Sequence, residues 1–175
     1  MIIEWIFTVL ICIFLILFTF SFYIAIFHGA PFVPTPMRAV HEVLKHAEIR
    51  KGDKVYDLGA GDGRFIHFAS KDYGAISVGF EMDPLVYGLA RLRQILQGWK
   101  GKMVFGNFMN QNLSDADFII CYLLPETLAK YQTKFKKELK KGTKIISYSF
   151  HIGSLKPKKL IPRQKGISQI FIYEI

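Results

Sequence analysis

The sequence predicts a doubly wound α/β sheet behind one N-terminal transmembrane helix. Three observations carry this. A long apolar run without charge occupies residues 5–27. From residue 54 onward, short strand-like runs alternate with helical patterns, the signature of a parallel sheet covered by helices. A glycine-rich turn follows the first of those strands, at the place where such sheets bind ligands. The chain has 175 residues, 51% of them hydrophobic, and a mean hydropathy of +0.24. That length suits one folded domain, and that composition excludes a disordered chain, a collagen-like repeat and a disulfide-stapled mini-protein.

The apolar run comes first. Its 23 residues contain no charge, proline or glycine. As a helix they would span about 34 Å at about 1.5 Å per residue, against a hydrocarbon core of about 30 Å. A secretory signal needs a basic start, a shorter apolar stretch and small residues at a cleavage site. Here the start carries Glu4 and no Lys or Arg, and residues 25–30 make a poor cleavage site. A retained anchor is expected over residues 1–29, with one domain over residues 30–175. Arg38 and Lys45 follow the helix and no basic side chain precedes it. The positive-inside rule then predicts a single-pass membrane protein with its domain on the cytoplasmic side.

The connector Pro31-Phe32-Val33-Pro34-Thr35-Pro36 is stiffened by three prolines. Thr35 and Pro36 read as N-cap and first helical residue. Met37, Val40, Leu44 and Ala47 then recur at helical spacing. Strands are expected over residues 54–58, 76–81, 102–106, 117–123, 144–149 and 168–175. Between them fall a helix closed by Gly74, a helix opened by Asp83-Pro84 with Leu85, Leu89, Leu92 and Leu96 on one face, and a helix opened by Pro125 with Leu128, Tyr131, Phe135 and Leu139 inward.

Net charge is +9, but it is local. Residues 1–129 carry eleven basic and twelve acidic side chains, while residues 130–165 carry twelve basic ones and only Glu138. Such a surface suits anionic lipid, RNA or an acidic protein, or is a plain solvated face. Cys12 and Cys121 lie in unlike settings, so no disulfide is expected and a reducing compartment fits. His41, His46, His67 and His151 have no metal-ligand spacing, and no metal site is expected.

The chemistry sits at Val55-Tyr56-Asp57-Leu58-Gly59-Ala60-Gly61-Asp62-Gly63-Arg64. A dinucleotide fingerprint requires G-x-G-x-x-G. Counted from Gly59 its last position is Arg64, and counted from Gly61 it is Ile66, so the fingerprint fails in both registers. What stands is D-x-G-x-G-x-G. Its carboxylate can accept hydrogen bonds from an amine or cationic ligand. The bland alternative is a tight turn with no ligand. Glu81 ends the next strand, where a carboxylate can take both hydroxyls of a ribose. Asn107 and Phe108 offer an amide and a ring to a base, and Tyr122 places an aromatic ring at the crevice mouth, unless it is plain core.

The runs Pro-Phe-Val-Pro-Thr-Pro, Tyr-Asp-Leu-Gly-Ala-Gly-Asp-Gly-Arg, Gly-Phe-Glu, Gly-Asn-Phe and Tyr-Leu-Leu-Pro, with Leu-Lys-Lys-Gly-Thr-Lys-Ile-Ile-Ser at residues 139–147, resemble the seven-β-strand S-adenosylmethionine-dependent methyltransferases. More narrowly they resemble small protein-lysine methyltransferases related to the mitochondrial enzymes acting on the ATP synthase c-ring protein and the adenine nucleotide translocase. The resemblance covers residues 31–150. It implies a Rossmann-like doubly wound methyltransferase sheet and S-adenosyl-L-methionine as cofactor. By it, Asp57, Gly59 and Gly61 hold the methionine part, Glu81 the ribose, Asn107 with Phe108 the adenine, and Thr35 closes over the cofactor. The resemblance leads one to expect a histidine where this chain has Tyr148. The Asn-Pro-Pro-Tyr of many amide and base methylators is absent after the fourth strand, so their catalytic scheme is not copied.

The expected activity is methyl transfer to a protein lysine, with the lysine in a membrane protein. Tyr122 and Phe150 would wall the channel, and Glu126 would orient the incoming ammonium. Two other readings stay open: a methyltransferase for RNA or a small lipid-like molecule, and a non-catalytic tether that binds the cofactor. Nucleic acid is the less favoured partner because no basic stretch is interleaved with aromatics.

Overall fold

The structure is a computed structural model and describes residues 1–27 and 32–175, with side chains left aside at residues 25–27. The expected boundary between residues 29 and 30 lies outside the described residues, as do residues 28–30 of the weak cleavage site.

The first helix, α1, runs Ile2–Phe27. Its segment Ile2–Ile24 is long and apolar enough to cross a membrane, and its most apolar stretch is unburied by the rest of the chain. Among its described side chains only Leu17, Ser21 and Ile24 turn from solvent. They recur at i, i+4 and i+7, so they form one face of the last turns.

The sheet has seven strands: β1 Lys54–Leu58, β2 Ile76–Glu81, β3 Lys102–Phe105, β4 Phe118–Cys121, β5 Lys144–Tyr148, β6 Lys159–Ile161 and β7 Ile170–Glu174. Their order is β3-β2-β1-β4-β5-β7-β6. The first five strands pair in parallel, while β7 runs antiparallel to both β5 and β6. The order reverses between β1 and β4, which opens a crevice at their carboxyl ends.

Helices α2 Met37–Ala47, α3 Arg64–Tyr73, α4 Pro84–Gln97 and α5 Pro125–Glu138 cover the sheet. Alternate residues of each strand feed opposite cores. Val55, Ile120 and Ile146 pack with Val40, Leu44 and Phe65 of α2 and α3. Tyr56, Ile119 and Ile145 pack with Leu128 and Phe135 of α5. Ala90 of α4 joins Ile66 of α3 and Met103 in a smaller cluster, so α4 shares the α3 face.

Three expectations need correction. Thr35 is not the N-cap of α2; Pro36 is, and Thr35 lies one residue earlier, buried. Met37 points outward, and Ala39 and Val43 fill the face instead. The short strand β6 is additional to the expected set, because a three-residue pairing in a Pro- and Lys-rich stretch has no pattern to read. The leucine face of α4, given without a direction, looks outward at Leu89, Leu92 and Leu96, and the buried residue of the helix is Ala90.

Candidate active site

The crevice at the carboxyl ends of β1, β2 and β4 is an open cleft. Its floor is the turn after β1. Gly59, Gly61 and Gly63 all have positive φ, at 76°, 58° and 81°. At Gly61 the conformation and the space act together. A Cβ there would lie 2.7 Å from Cε2 of Phe32, so the ring of the connector seats on bare backbone. The turn also needs Gly79 beneath it, since a Cβ on that β2 residue would lie 2.6 Å from Cβ of Ala60.

Glu81 fixes the turn to β2. Its Oε2 accepts the N–H of Gly61 at 2.9 Å, and its Oε1 accepts the N–H groups of Met82 and Asp83, each at 2.9 Å. Burial pushes its carboxyl above the usual range, and those three backbone donors pull it back only in part. Asp57, at the end of β1, is more extreme. It is buried, its Oδ2 has no hydrogen-bond partner among the described residues, and burial with the nearby charges of Glu81 and Asp62 holds its carboxyl well above the usual range. An unpaired buried carboxylate oxygen costs roughly 1–3 kcal/mol or more. A ligand ammonium placed over this turn would supply the missing partner.

The other side chains come from elements that end at the same edge. Asn107 and Phe108 follow β3 and line the cleft. The Asn107 Oδ1 is committed to the N–H of Met109 at 2.9 Å, which leaves its amide nitrogen for a ligand. Phe108 is buried with its ring edge-on to Tyr131, centroids 4.6 Å apart. Tyr122 follows β4. It stacks on Phe150 at 6.1 Å and meets Tyr148 edge-on at 5.0 Å. Phe150 reaches the cleft because Ser149, with φ 71°, turns the chain after β5. The Ser147 hydroxyl donates to the Phe150 carbonyl at 2.6 Å and holds that turn.

The cleft thus gathers Thr35, Asp57, Gly59, Gly61, Glu81, Asn107, Phe108, Tyr122 and Phe150. It does not gather Glu126. That residue sits on the exposed first turn of α5, and its neighbour Thr127 is the one that lines the wall. The expectation that Glu126 orients an ammonium therefore has no geometric basis.

Sequence reasoning misses two features. Ile24 of α1 is buried and lines the cleft beside Asp83 and Val86, so the apolar helix does contribute to the wall. Asp62, 2% exposed at its side chain, pairs with both Arg64 and Arg93. Arg64 also donates to the Thr35 carbonyl. One buried carboxylate so joins the glycine turn, the connector and α4. The only available signal is the D-G-R order within the motif, and it names neither Arg93 nor Thr35.

The residues fit S-adenosylmethionine on the unpaired Asp57 oxygen and the Cβ-free turn. Comparison with known proteins agrees. The family model described as "ANTKMT methyltransferase domain" matches residues 57–159. A protein-lysine N-methyltransferase of Saccharolobus islandicus is 34% identical over 146 residues, which cover 82% of this chain and 91% of that protein. The adenine nucleotide translocase lysine N-methyltransferase of Mus musculus is 27% identical over 147 residues, 83% of this chain but 63% of its own length. An RNA methyltransferase from Salinibacter ruber, solved with S-adenosyl-L-homocysteine, superposes with a TM-score of 0.76 at 30% identity, covering 82% of this chain and 94% of that one.

Proposed function

Because the chain belongs to the ANTKMT methyltransferase family of S-adenosylmethionine-dependent enzymes, we propose that it methylates a lysine side chain of a membrane protein, from a domain that α1 anchors on the cytoplasmic side. The cofactor supplies an activated methyl group. The chain's own residues must then bind, align and dehydrate. Asp57 takes the ammonium of the methionine part, Gly59 and Gly61 let the backbone run close beneath it, Glu81 meets the ribose, and Asn107 with Phe108 meets the adenine. Thr35, Phe32 and Ile24 cover the site from above.

A lysine arriving as ammonium would first give a proton to solvent, and its Nζ lone pair would then take the methyl carbon as the sulfur–carbon bond breaks. Rate depends mainly on holding the two atoms in line. A free lysine, with a pKa of about 10.4, costs about 4.6 kcal/mol to neutralise at pH 7. The stacked Tyr122 and Phe150 rings lower that cost by excluding water from the ammonium. This aromatic mouth above a carboxylate-and-glycine floor is the observation that carries the lysine reading.

The RNA reading is less supported. Four of the twelve cations in residues 130–165, Lys134, Lys140, Lys144 and Lys158, are tied to Glu138, Asp117, Glu48 and Glu174, which leaves fewer of them for phosphate. A phosphate-tracking groove needs free cations.

The test is transfer of labelled methyl in native membranes, with the label then located. Label on a lysine near the cytoplasmic boundary of a membrane protein is expected. Label in RNA and none in protein would overturn the substrate and leave the cofactor site standing. Protease protection of the domain in intact vesicles would overturn its side.

A further inference from the structure

Helix α4 is built inside out. The side turned to the domain carries Ala90 and the helix's polar links: Arg93 pairs with Asp62, and Gln94 donates to the Gly101 carbonyl at 2.7 Å. The side turned away is apolar. Leu89 is 38% exposed, Leu92 52%, Ile95 72% and Leu96 72%. These residues recur at i, i+3, i+6 and i+7, so they form one continuous stripe. A surface helix that turns four large apolar side chains to solvent and Arg93 to the domain presents a face for a partner.

The stripe does not stand alone. Its N-terminal end abuts α1, which among the described residues is the one helix with the length and composition of a membrane span. The Ser21 hydroxyl donates to Asp83, the N-cap of α4. About 20 residues of α1 are needed to cross a hydrocarbon core. With that stretch in lipid, the turn at Ser21 lies at the bilayer boundary, and α4 starts at the same depth. Residues 84–107 hold no acidic side chain, while Arg91, Lys100 and Lys102 are exposed around the stripe. Apolar side chains flanked by cations are what an interfacial helix presents to anionic lipid. Two copies meeting stripe to stripe would instead bring Arg91 and its counterparts together.

We propose that the outward face of α4 lies in the headgroup region of an anionic bilayer, a second contact that fixes the orientation of the domain on its anchor. This rests on the anchoring role given to α1 above. It turns the wall made by Ile24, Asp83 and Val86 toward the membrane, so the cleft opens where a lysine at a membrane boundary would arrive. The lysine-rich α5, on the opposite face of the sheet, then faces water.

The full chain tests this in vesicles of phosphatidylcholine and phosphatidylglycerol. In a Cys12→Ser background, where Cys121 is buried, an environment-sensitive dye is attached at Ile95→Cys, at Lys136→Cys on α5, or at Phe14→Cys within α1. Dye at position 95 is expected to shift to the blue. Nitroxide lipids should quench it several-fold more than dye at 136, and aqueous iodide several-fold less. If dye at 14 is quenched by lipid while dye at 95 behaves like dye at 136, the α4 contact is overturned and the anchor stands. If dye at 14 is not quenched by lipid, both fall. Shielding of position 95 from lipid and iodide alike, with self-quenching, would mean a second copy covers the stripe and would overturn the lipid contact.

Discussion

Glu81 accepts the backbone N–H of Gly61 at 2.9 Å, so the acid that ends β2 and the glycine turn after β1 form one unit. Changing one therefore disturbs both. Glu81→Ala is expected to weaken S-adenosylmethionine binding by about 2–3 kcal/mol, the scale of hydrogen bonds to a charged group. It also leaves the N–H groups of Gly61, Met82 and Asp83 without an acceptor, so melting temperature should fall. Calorimetry showing unchanged affinity would remove Glu81 from the site.

Asp57 gives a pH signature. Its folded carboxyl is held well above the ordinary value of 3.8. Above about pH 4 the unfolded chain loses this proton while the folded chain keeps it, so folding is penalised as pH rises. The penalty grows until pH passes the folded value and then levels off. Asp57→Asn should therefore melt above the parent at pH 7 without ligand, and the gap should close below about pH 4. Binding of an ammonium should also release a proton in the parent. Affinity should then fall as pH drops through the folded value, and calorimetry in buffers of different ionisation heat should detect the release. In Asp57→Asn the release vanishes and affinity drops roughly tenfold to a hundredfold.

Gly61→Ala and Gly98→Ala make a matched pair. Both positions have φ near +60°, at 58° and 63°. Each substitution costs roughly 1 kcal/mol in backbone strain. Only the first meets a neighbour, Cε2 of Phe32 at 2.7 Å, whereas a Cβ on Gly98 meets nothing within 4 Å. Gly61→Ala should lose more stability and should lose cofactor affinity. Adding Phe32→Ala should restore part of the stability. Equal melting temperatures for the two single variants would show that the ring yields freely.

Asp62→Ala leaves two guanidinium groups beside a vacated buried site. Removing one member of a buried ionic cluster typically costs about 3–5 kcal/mol. Denaturant unfolding should report a loss near the lower end, since Arg64 and Arg93 keep side-chain exposures of 13% and 30%. The same variant should loosen the connector at Thr35 and raise KM for the cofactor. An unaltered KM with lowered stability would confine the cluster to a structural role.

Strand β1, helix α3, strand β2 and the glycine turn are legible in the residues alone, with their bounds. Local chemistry there is dense: Gly74 closes α3 in a left-handed cap and Asp83 caps α4 with its own carboxylate. The motif also names the floor of the cleft, since D-x-G-x-G-x-G is a contiguous run fixed by backbone need. Packing between distant segments settles what no run of neighbours encodes. Whether the α4 leucines turn in or out depends on Asp62, 31 residues before Arg93, drawing the polar side of the helix to the domain. Whether Ile24 touches the cleft depends on α1 packing against α4. Glu126 falls outside the cleft for the same reason: a helix start lies near the crevice, but the rotation of α5, set by Leu128 and Phe135 in the core, turns Thr127 to the wall and leaves the acid in water. Periodicity gives the shape of a face, and only the partner across it decides which way that face looks.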